Sequence, residues 1–298
     1  MVTFGRCLRK LKFTGVMCSL SIEQTSGCCG NNGVGSGRLL RDFSRLSSDK
    51  LRQKSFVLQR HTSLLGNRDV QKRNFSDMSR PIVYLADASP PSRSILLAAE
   101  AMGLNIDVRR IDLRRGEHLT EEFRKMNPEH TVPTLNDNGF IIWDSHAIMG
   151  YLVDKYAKND TLYPKDVAQR ALVNQRLHFD SGVLFSRLRF ISYALIMGKT
   201  DTVPIEKLEL LEEAYRHLNN FLNGKKWLVG DSYTLADISC VTTISSIVCV
   251  LPIDEYPHIQ AWLKRCEETL PGYKTLNTPG CNLFHKLIGS RITSKGKL

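Results

Sequence analysis

The residue with the clearest chemical potential is a serine at a junction between a predicted strand and a predicted helix. Ser89 follows the short apolar strand Ile82–Leu85 and precedes Pro90 and a helix predicted over Pro91–Met102. A hydroxyl beside the free N–H groups of a helix start favours a negatively charged ligand. A helix N-cap followed by proline accounts for the same residues without any chemistry. This segment alone leaves both interpretations open.

Two further segments place polar or backbone groups at the ends of predicted elements. Val132-Pro133 leads into a strand and a hairpin around Asn138-Gly139, which is a strong turn signal. Asp144-Ser145 opens a helix predicted over Ser145–Tyr156. A carboxylate with a hydroxyl and N–H groups suits a zwitterionic ligand, although Asp and Ser are also ordinary helix caps.

Three histidines lie near these segments, at His118, His130 and His146. They lack the spacing that places metal ligands together within one element, so no metal site is predicted. As an alternative to ligand binding, each is explained as a surface or loop histidine.

The elements that must position these residues form two predicted domains. Residues 80–157 read as β-α-β-α-β-β-α, which is a small α/β domain. Residues 165–290 read as all-helical, beginning with one long periodic segment over Ala168–Met197. Thr234 with Asp237 forms a capping box that predicts the start of a further helix. The other helices of this domain are predicted over Ile205–Leu222, Ile259–Thr269 and Asn282–Ile288.

The basic charge of the chain belongs to residues 1–79, which are predicted to be a disordered extension. Residues 1–77 carry 14 Lys/Arg against 5 Asp/Glu, whereas residues 78–298 carry 27 against 25. The near-neutral globular part therefore does not predict nucleic-acid binding. The extension is interpreted as upstream sequence before a functional start at Met78. A mitochondrial presequence is the alternative.

The cysteines indicate the cellular compartment, and the apolar runs indicate whether a membrane span is predicted. The eight cysteines are scattered apart from Cys28-Cys29 and include no CxxC pair, which indicates reduced thiols in the cytoplasm. The longest uncharged run, Ile238–Ile253, is shorter than the roughly 20 residues of a membrane span and predicts a buried helix.

Three motifs together resemble an insect glutathione transferase of the delta/epsilon type. They are SPPSR at Ser89–Arg93, NPEHTVPTL at Asn127–Leu135 and DSHAI at Asp144–Ile148, followed by a helical domain. The segment RLHFDSGVLF at Arg176–Phe185 resembles the epsilon class in particular. The resemblance covers about residues 80–290 and implies an α/β thioredoxin-like N-terminal domain followed by an all-α C-terminal domain.

The resemblance implies a glutathione site. Ser89 would donate a hydrogen bond to the glutathione sulfur and stabilise it as a thiolate, while Tyr84, the donor in other classes, would be structural. Pro133 would be cis, and the backbone of Val132 would pair with the cysteinyl backbone of glutathione. The remaining predicted contacts to glutathione come from His118, His130, Asp144, Ser145 and His146.

The electrophile pocket is predicted on the long helix of the second domain. The pocket residues recur at helical spacing and so form an apolar stripe along one side of this helix. Arg189 lies on this stripe and is expected to be a buried cation that needs an anionic partner. Plain core packing is the alternative for the whole apolar stripe. The predicted pocket residues are Phe185, Leu188, Arg189, Ser192, Ile196 and Met197.

These features predict a glutathione transferase that conjugates glutathione to hydrophobic electrophiles in detoxification. The same thiolate is compatible with peroxidase or dehydrochlorinase side activity. The family resemblance implies a homodimer. The alternatives are a non-catalytic ligand-binding or interaction module of the same fold, and a dedicated glutathione transferase of a steroid pathway.

Overall fold

The computed structural model describes residues 80–292. Within this range a four-stranded sheet has the order β2-β1-β3-β4, in which β1 and β2 are parallel and the other neighbours are antiparallel. The predicted basic extension and the proposed start at Met78 lie outside the described residues. The strands are β1 (Ile82–Leu85), β2 (Asp107–Arg110), β3 (Thr134–Asp137) and β4 (Phe140–Trp143).

The β3–β4 hairpin forms as its sequence predicts. Asn138 and Gly139 have φ angles of 54° and 93°, the left-handed conformation that a type I′ turn requires at both central positions. Three helices accompany the sheet: α1 (Pro90–Met102), α2 (Glu121–Met126) and α3 (Ser145–Tyr156), with a 3-10 turn at Glu117–Leu119 before α2.

The helical part contains six further α-helices within the described residues. The predicted capping box at the start of the helix Leu235–Ile247 is confirmed. The Thr234 hydroxyl accepts from the Ala236 amide, and the Asp237 carboxylate accepts from the Thr234 amide. The helices are α4 (Val167–Phe179), α5 (Phe185–Ile196), α6 (Ile205–Phe221), α7 (Leu235–Ile247), α8 (Pro257–Thr269) and α9 (Thr278–Gly289).

The long helix predicted over Ala168–Met197 is interrupted. Its α4 and α5 portions are joined by a π-helical turn at Asp180–Leu184, and a second π turn at Tyr273–Asn277 precedes α9. The apolar period continues through the first π turn, which is why periodicity alone merges the two helices. The turn directs Asp180 into the interior, where it is buried.

Helix α7 is the centre of the core. Every residue from Leu235 to Ile247 is buried, and α1 packs directly against it, so the sheet and the helices share one hydrophobic core. The uncharged run that begins at Ile238 is thus mostly a buried helix, as predicted. Among residues 80–292 no helix has the length and apolar character that crossing a membrane requires.

Candidate active site

Ser89 lies at the N-cap position of α1 but makes no capping hydrogen bond. Its own amide donates to the Ala86 carbonyl at 3.0 Å, and its carbonyl accepts from Ser92 and Arg93 at 3.1 Å each. The side-chain hydroxyl therefore stays available to a ligand. The structure thus removes the argument that capping alone explains this serine.

The expectation of free N–H groups beside Ser89 is wrong. The first two helical positions are Pro90 and Pro91, which have no N–H, and the next amide, from Ser92, is already bonded to Ser89. The donor that this helix start offers to an anion is consequently the Ser89 hydroxyl, supported by the helix dipole.

The turn that carries Ser89 is held from both sides. The Ala86 amide donates to the Ser92 hydroxyl at 3.3 Å, and Arg110 on β2 forms an ion pair with Asp87 at 2.9 Å. Tyr84 lies one strand position from the turn, and its ring packs edge-on against Phe123. This packing agrees with a structural role for the tyrosine.

The Val132–Pro133 peptide is cis, as the resemblance implies. Within the described residues, neither the amide nor the carbonyl of Val132 takes part in a hydrogen bond. An extended peptide can pair with such a free backbone segment in the manner of an added strand.

Asn127 holds the loop on which Val132 and His130 lie. Its amide nitrogen donates to the Thr131 carbonyl and hydroxyl, at 3.1 Å each, and to the Thr134 hydroxyl at 2.9 Å. Its side-chain oxygen accepts from the Glu129 amide at 2.9 Å. In the sequence, Asn127 stood out only as the first residue of the NPEHTVPTL motif. An Asn directly before Pro128 at a helix end is the sequence signal for such a loop, and the structure adds that this Asn is buried.

Asp144 and Ser145 open α3 with an unusual backbone. Asp144 has φ 72° and ψ 122°, a strained combination for a residue with a side chain, and such strain concentrates at functional sites. One oxygen of its carboxylate caps the helix by accepting from His146 and Ala147 at 2.9 and 3.2 Å. The cap interpretation is therefore correct for Oδ1. Oδ2 and the Ser145 hydroxyl have no partner among residues 80–292.

His118 and His130 lie together, with ring centroids 6.0 Å apart. The Nδ1 atom of His118 is buried and has no hydrogen-bond partner in the described part of the chain. Burial lowers the pKa of His118, and electrostatic interactions with His130 and with the Arg124 cation lower it further. A buried nitrogen without a partner, with the Arg124 cation nearby, suits an incoming carboxylate.

The site as a whole brings a free hydroxyl, a free backbone segment and a strained helix start onto one thioredoxin-like domain. Residues 88–155 match the sequence model of the glutathione S-transferase N-terminal domain, and residues 184–269 match that of the C-terminal domain. Glutathione S-transferase 1 of Manduca sexta is 45% identical over 216 residues, which cover 71% of this chain and 98% of that protein.

The chain belongs to the insect delta/epsilon type of glutathione S-transferase. An epsilon-class enzyme from the housefly Musca domestica superposes with a TM-score of 0.70 at 42% identity, covering 72% of this chain and 100% of that one. A glutathione transferase homologue from Drosophila mojavensis, solved with bound glutathione, has a TM-score of 0.70 at 41% identity, covering 72% and 99%.

In this glutathione S-transferase, His146 links the predicted glutathione site to the helical domain. Its Nε2 atom lies 2.8 Å from the Ser239 hydroxyl on α7 and 3.4 Å from Asp180 Oδ2. Ser239 in turn donates to Asp180 Oδ2 at 2.5 Å, while Asp180 Oδ1 is buried and has no hydrogen-bond partner in the part of the chain that the structure describes. The Nε2 atom of His146 thus contacts the helical domain. A contact between His146 and glutathione stays a prediction.

The predicted electrophile residues of the transferase separate onto two faces of α5. Leu188 and Ser192 are buried, whereas Arg189 is exposed and Met197 is 53% exposed. Phe185 and Ile196 are half-buried. The expectation that Arg189 is a buried cation is wrong, because the residue lies about 100° around the helix from the buried Leu188. Tyr193, which was not among the predicted pocket residues, shares this exposed face with Arg189.

Proposed function

We propose that this glutathione S-transferase joins reduced glutathione to hydrophobic electrophiles through a thiolate that Ser89 stabilises. The observation that carries the proposal is the Ser89 hydroxyl, which lies at a helix start and makes no capping hydrogen bond. A free thiol has a pKa of about 8.5, and a hydrogen bond to its anion together with a helix dipole lowers that value. Ser89 acts as the donor and is not a nucleophile.

The reaction step follows from the anion. The glutathione thiolate attacks an electrophilic carbon, so that a sulfur–carbon bond forms and the leaving group departs with the bonding electron pair. The thiol proton has already gone to solvent when the thiolate forms. No base is required beside Ser89, which agrees with the absence of an adjacent histidine or carboxylate in the SPPSR segment.

The remaining site residues suit the rest of the tripeptide. The free backbone of Val132, before Pro133, is proposed to pair with the cysteinyl unit. Asp144 Oδ2 and the Ser145 hydroxyl are proposed to bind the γ-glutamyl ammonium and carboxylate, since Oδ1 already caps α3. His118 and His130 are proposed to face the glycyl carboxylate. A relative with bound glutathione supports the choice of ligand.

The electrophile is proposed to contact the exposed face of α5. Arg189, Tyr193 and Met197 recur at four-residue spacing there, so they lie along one side of the helix. Two apolar side chains beside one cation suit a bulky hydrophobic substrate that carries some negative charge.

We also infer a cytoplasmic homodimer. The four described cysteines, Cys240, Cys249, Cys266 and Cys281, are free thiols, which supports a reducing compartment. The dimer rests on the family resemblance, and light scattering of the purified protein tests it through a mass twice that of the chain.

The Ser89→Ala variant tests the mechanism. A hydrogen bond to a charged group contributes about 1.5–3 kcal/mol, so its loss should raise the pKa of the bound thiol by about 1–2 units. Turnover of a chromogenic aryl halide at pH 6.5 should fall about 10- to 100-fold. Glutathione affinity should change little, because the tripeptide contacts are intact.

The measurement is the thiolate absorbance of bound glutathione as a function of pH. Ser94→Ala is the matched control, since Ser94 lies on the same helix and its hydroxyl donates to the Pro91 carbonyl at 2.8 Å. A thiol pKa that is the same in Ser89→Ala and in the unmodified enzyme refutes the assignment.

A further inference from the structure

A close backbone contact joins the last helix to the turn that carries Ser89. Gly280 is the third residue of α9 and is buried. A β-carbon on Gly280 would lie 2.1 Å from the Asp87 carbonyl oxygen and 2.7 Å from the Arg93 Cδ atom. The nearer contact is with backbone, which cannot turn aside as a flexible side chain can. Glycine is therefore required here by space, since its φ angle is not in the left-handed region.

Asp87 transmits this contact to Ser89 over a very short path. The two residues are two positions apart, and the turn between them is closed by the Ser89 amide, which donates to the Ala86 carbonyl. On the other side of the turn, Arg110 holds the Asp87 carboxylate. A displacement of the Asp87 carbonyl must therefore move the Ser89 backbone as well.

A second set of contacts locks the start of α9 to α1. Arg93 on α1 is fully buried and donates to Asn277 Oδ1 at 2.5 Å, to the Thr242 carbonyl at 3.3 Å and to the Ser246 hydroxyl. Asn277 directly precedes α9 and is itself buried. The buried Arg93 guanidinium thus ties α1, which Ser89 precedes, to Asn277 at the start of α9.

We propose that Gly280 is a positioning residue for conjugation, because the first turn of α9 sets the position of the Ser89 hydroxyl through the Asp87 carbonyl. This inference rests on the proposed function of Ser89. It gives α9 a part in stabilising the thiolate, although none of the proposed glutathione contacts lies on this helix.

The Gly280→Ala variant tests the proposal. A contact of 2.1 Å cannot persist, so the turn or the helix must move by about 1 Å, and a misplacement of that size costs up to about 100-fold in rate. We expect the pKa of the bound thiol to rise and kcat to fall about tenfold or more. The KM for glutathione should change less than about threefold, since the loop at Val132 is untouched.

Gly289→Ala is the matched control on the same helix. A β-carbon there would have no neighbour within 4 Å among residues 80–292, so the thiol pKa and kcat should stay at the values of the unmodified enzyme. A folded Gly280→Ala enzyme with unchanged thiol pKa and kcat overturns the proposal.

Asn277→Ala provides a second test that adds no atoms and remains usable if Gly280→Ala does not fold. It removes one acceptor of Arg93 and leaves those on α7, so it should loosen α9 from α1 and raise the thiol pKa by a smaller amount. An unchanged pKa and kcat in folded Asn277→Ala would also overturn the proposal.

Ser89→Ala distinguishes a failure of the proposed function of Ser89 from a failure of the positioning role of Gly280. If Ser89→Ala leaves the thiol pKa unchanged, the proposed function of Ser89 fails. If Ser89→Ala raises the pKa while the variants at Gly280 and Asn277 do not, the proposed function stands and only the positioning role fails.

Discussion

The Asn127→Ala variant should separate glutathione binding from thiol activation. Asn127 is fully buried, and its side chain makes four hydrogen bonds that hold the loop between α2 and β3. Each such bond contributes about 1 kcal/mol net. The Thr134 hydroxyl retains a partner, since it also donates to the Thr131 carbonyl at 2.9 Å. We therefore expect a loss of about 3 kcal/mol in the free energy of unfolding.

This loss in the free energy of unfolding should be measurable as a lower melting temperature, Tm. For a folded unit of this size, 1 kcal/mol lowers Tm by about 2–4 °C, so Asn127→Ala should melt about 6–12 °C lower. Circular dichroism follows the transition. Asn159→Ala is the control: Asn159 is exposed, and its side chain accepts one hydrogen bond, from the Thr161 amide at 3.1 Å. Its Tm should stay within about 2 °C.

The functional part of the prediction concerns the loop itself. Because His130 and Val132 lie on the segment that Asn127 holds, the dissociation constant for glutathione should rise about tenfold, equivalent to about 1.4 kcal/mol. The pKa of the bound thiol should not change, since the side-chain hydrogen bonds of Asn127 all go to residues 129–134 and not to the Ser89 turn. A lower Tm with unchanged glutathione affinity, measured by calorimetric titration, would refute the proposed role of this loop.

Two further predictions concern stability and pH. Asp237→Ala should lower the free energy of unfolding by about 4 kcal/mol, because it leaves the Leu228 and Thr234 amides and the Trp262 indole N–H buried without an acceptor. Urea unfolding measures this loss, with Asp231→Ala at an exposed position as the control. A loss below about 1 kcal/mol contradicts the prediction. The folded-state pKa of His118 lies below its unfolded value of 6.5, so this residue should reduce stability as pH falls below about 6.5. A bound glycyl carboxylate should raise that pKa, and NMR titration of the imidazole with and without glutathione reveals no shift if His118 does not face the ligand.

Several features of this protein follow from sequence because they depend on neighbouring residues. The capping box joins Thr234 to Asp237 within one helical turn, and the hairpin needs only left-handed backbone at Asn138-Gly139. The strand-to-helix junction at Ser89 and the helix start at Asp144 are likewise recognisable as sequence motifs, although only the structure shows that the Ser89 hydroxyl makes no capping hydrogen bond. The family resemblance then assigned a chemical role to motifs that are individually weak.

Other features are decided by residues that are distant in sequence. The π turn at Asp180 places a carboxylate against Ser239 and His146 from two other helices, and periodicity within α4 and α5 carries no trace of them. The exposure of Arg189 depends on which face of α5 meets the core. Apolar spacing indicates only that such a face exists.

The position of Ser89 shows most clearly which features the sequence determines and which depend on the tertiary structure. Sequence determines that a serine precedes two prolines at a helix start, because these groups are covalent neighbours. Only the tertiary structure brings Gly280, almost two hundred residues later, into contact with Asp87 and leaves no room for a side chain. Close approach of two backbones is set by the packing of whole helices, so a glycine within a helix does not reveal by itself which turn it accommodates.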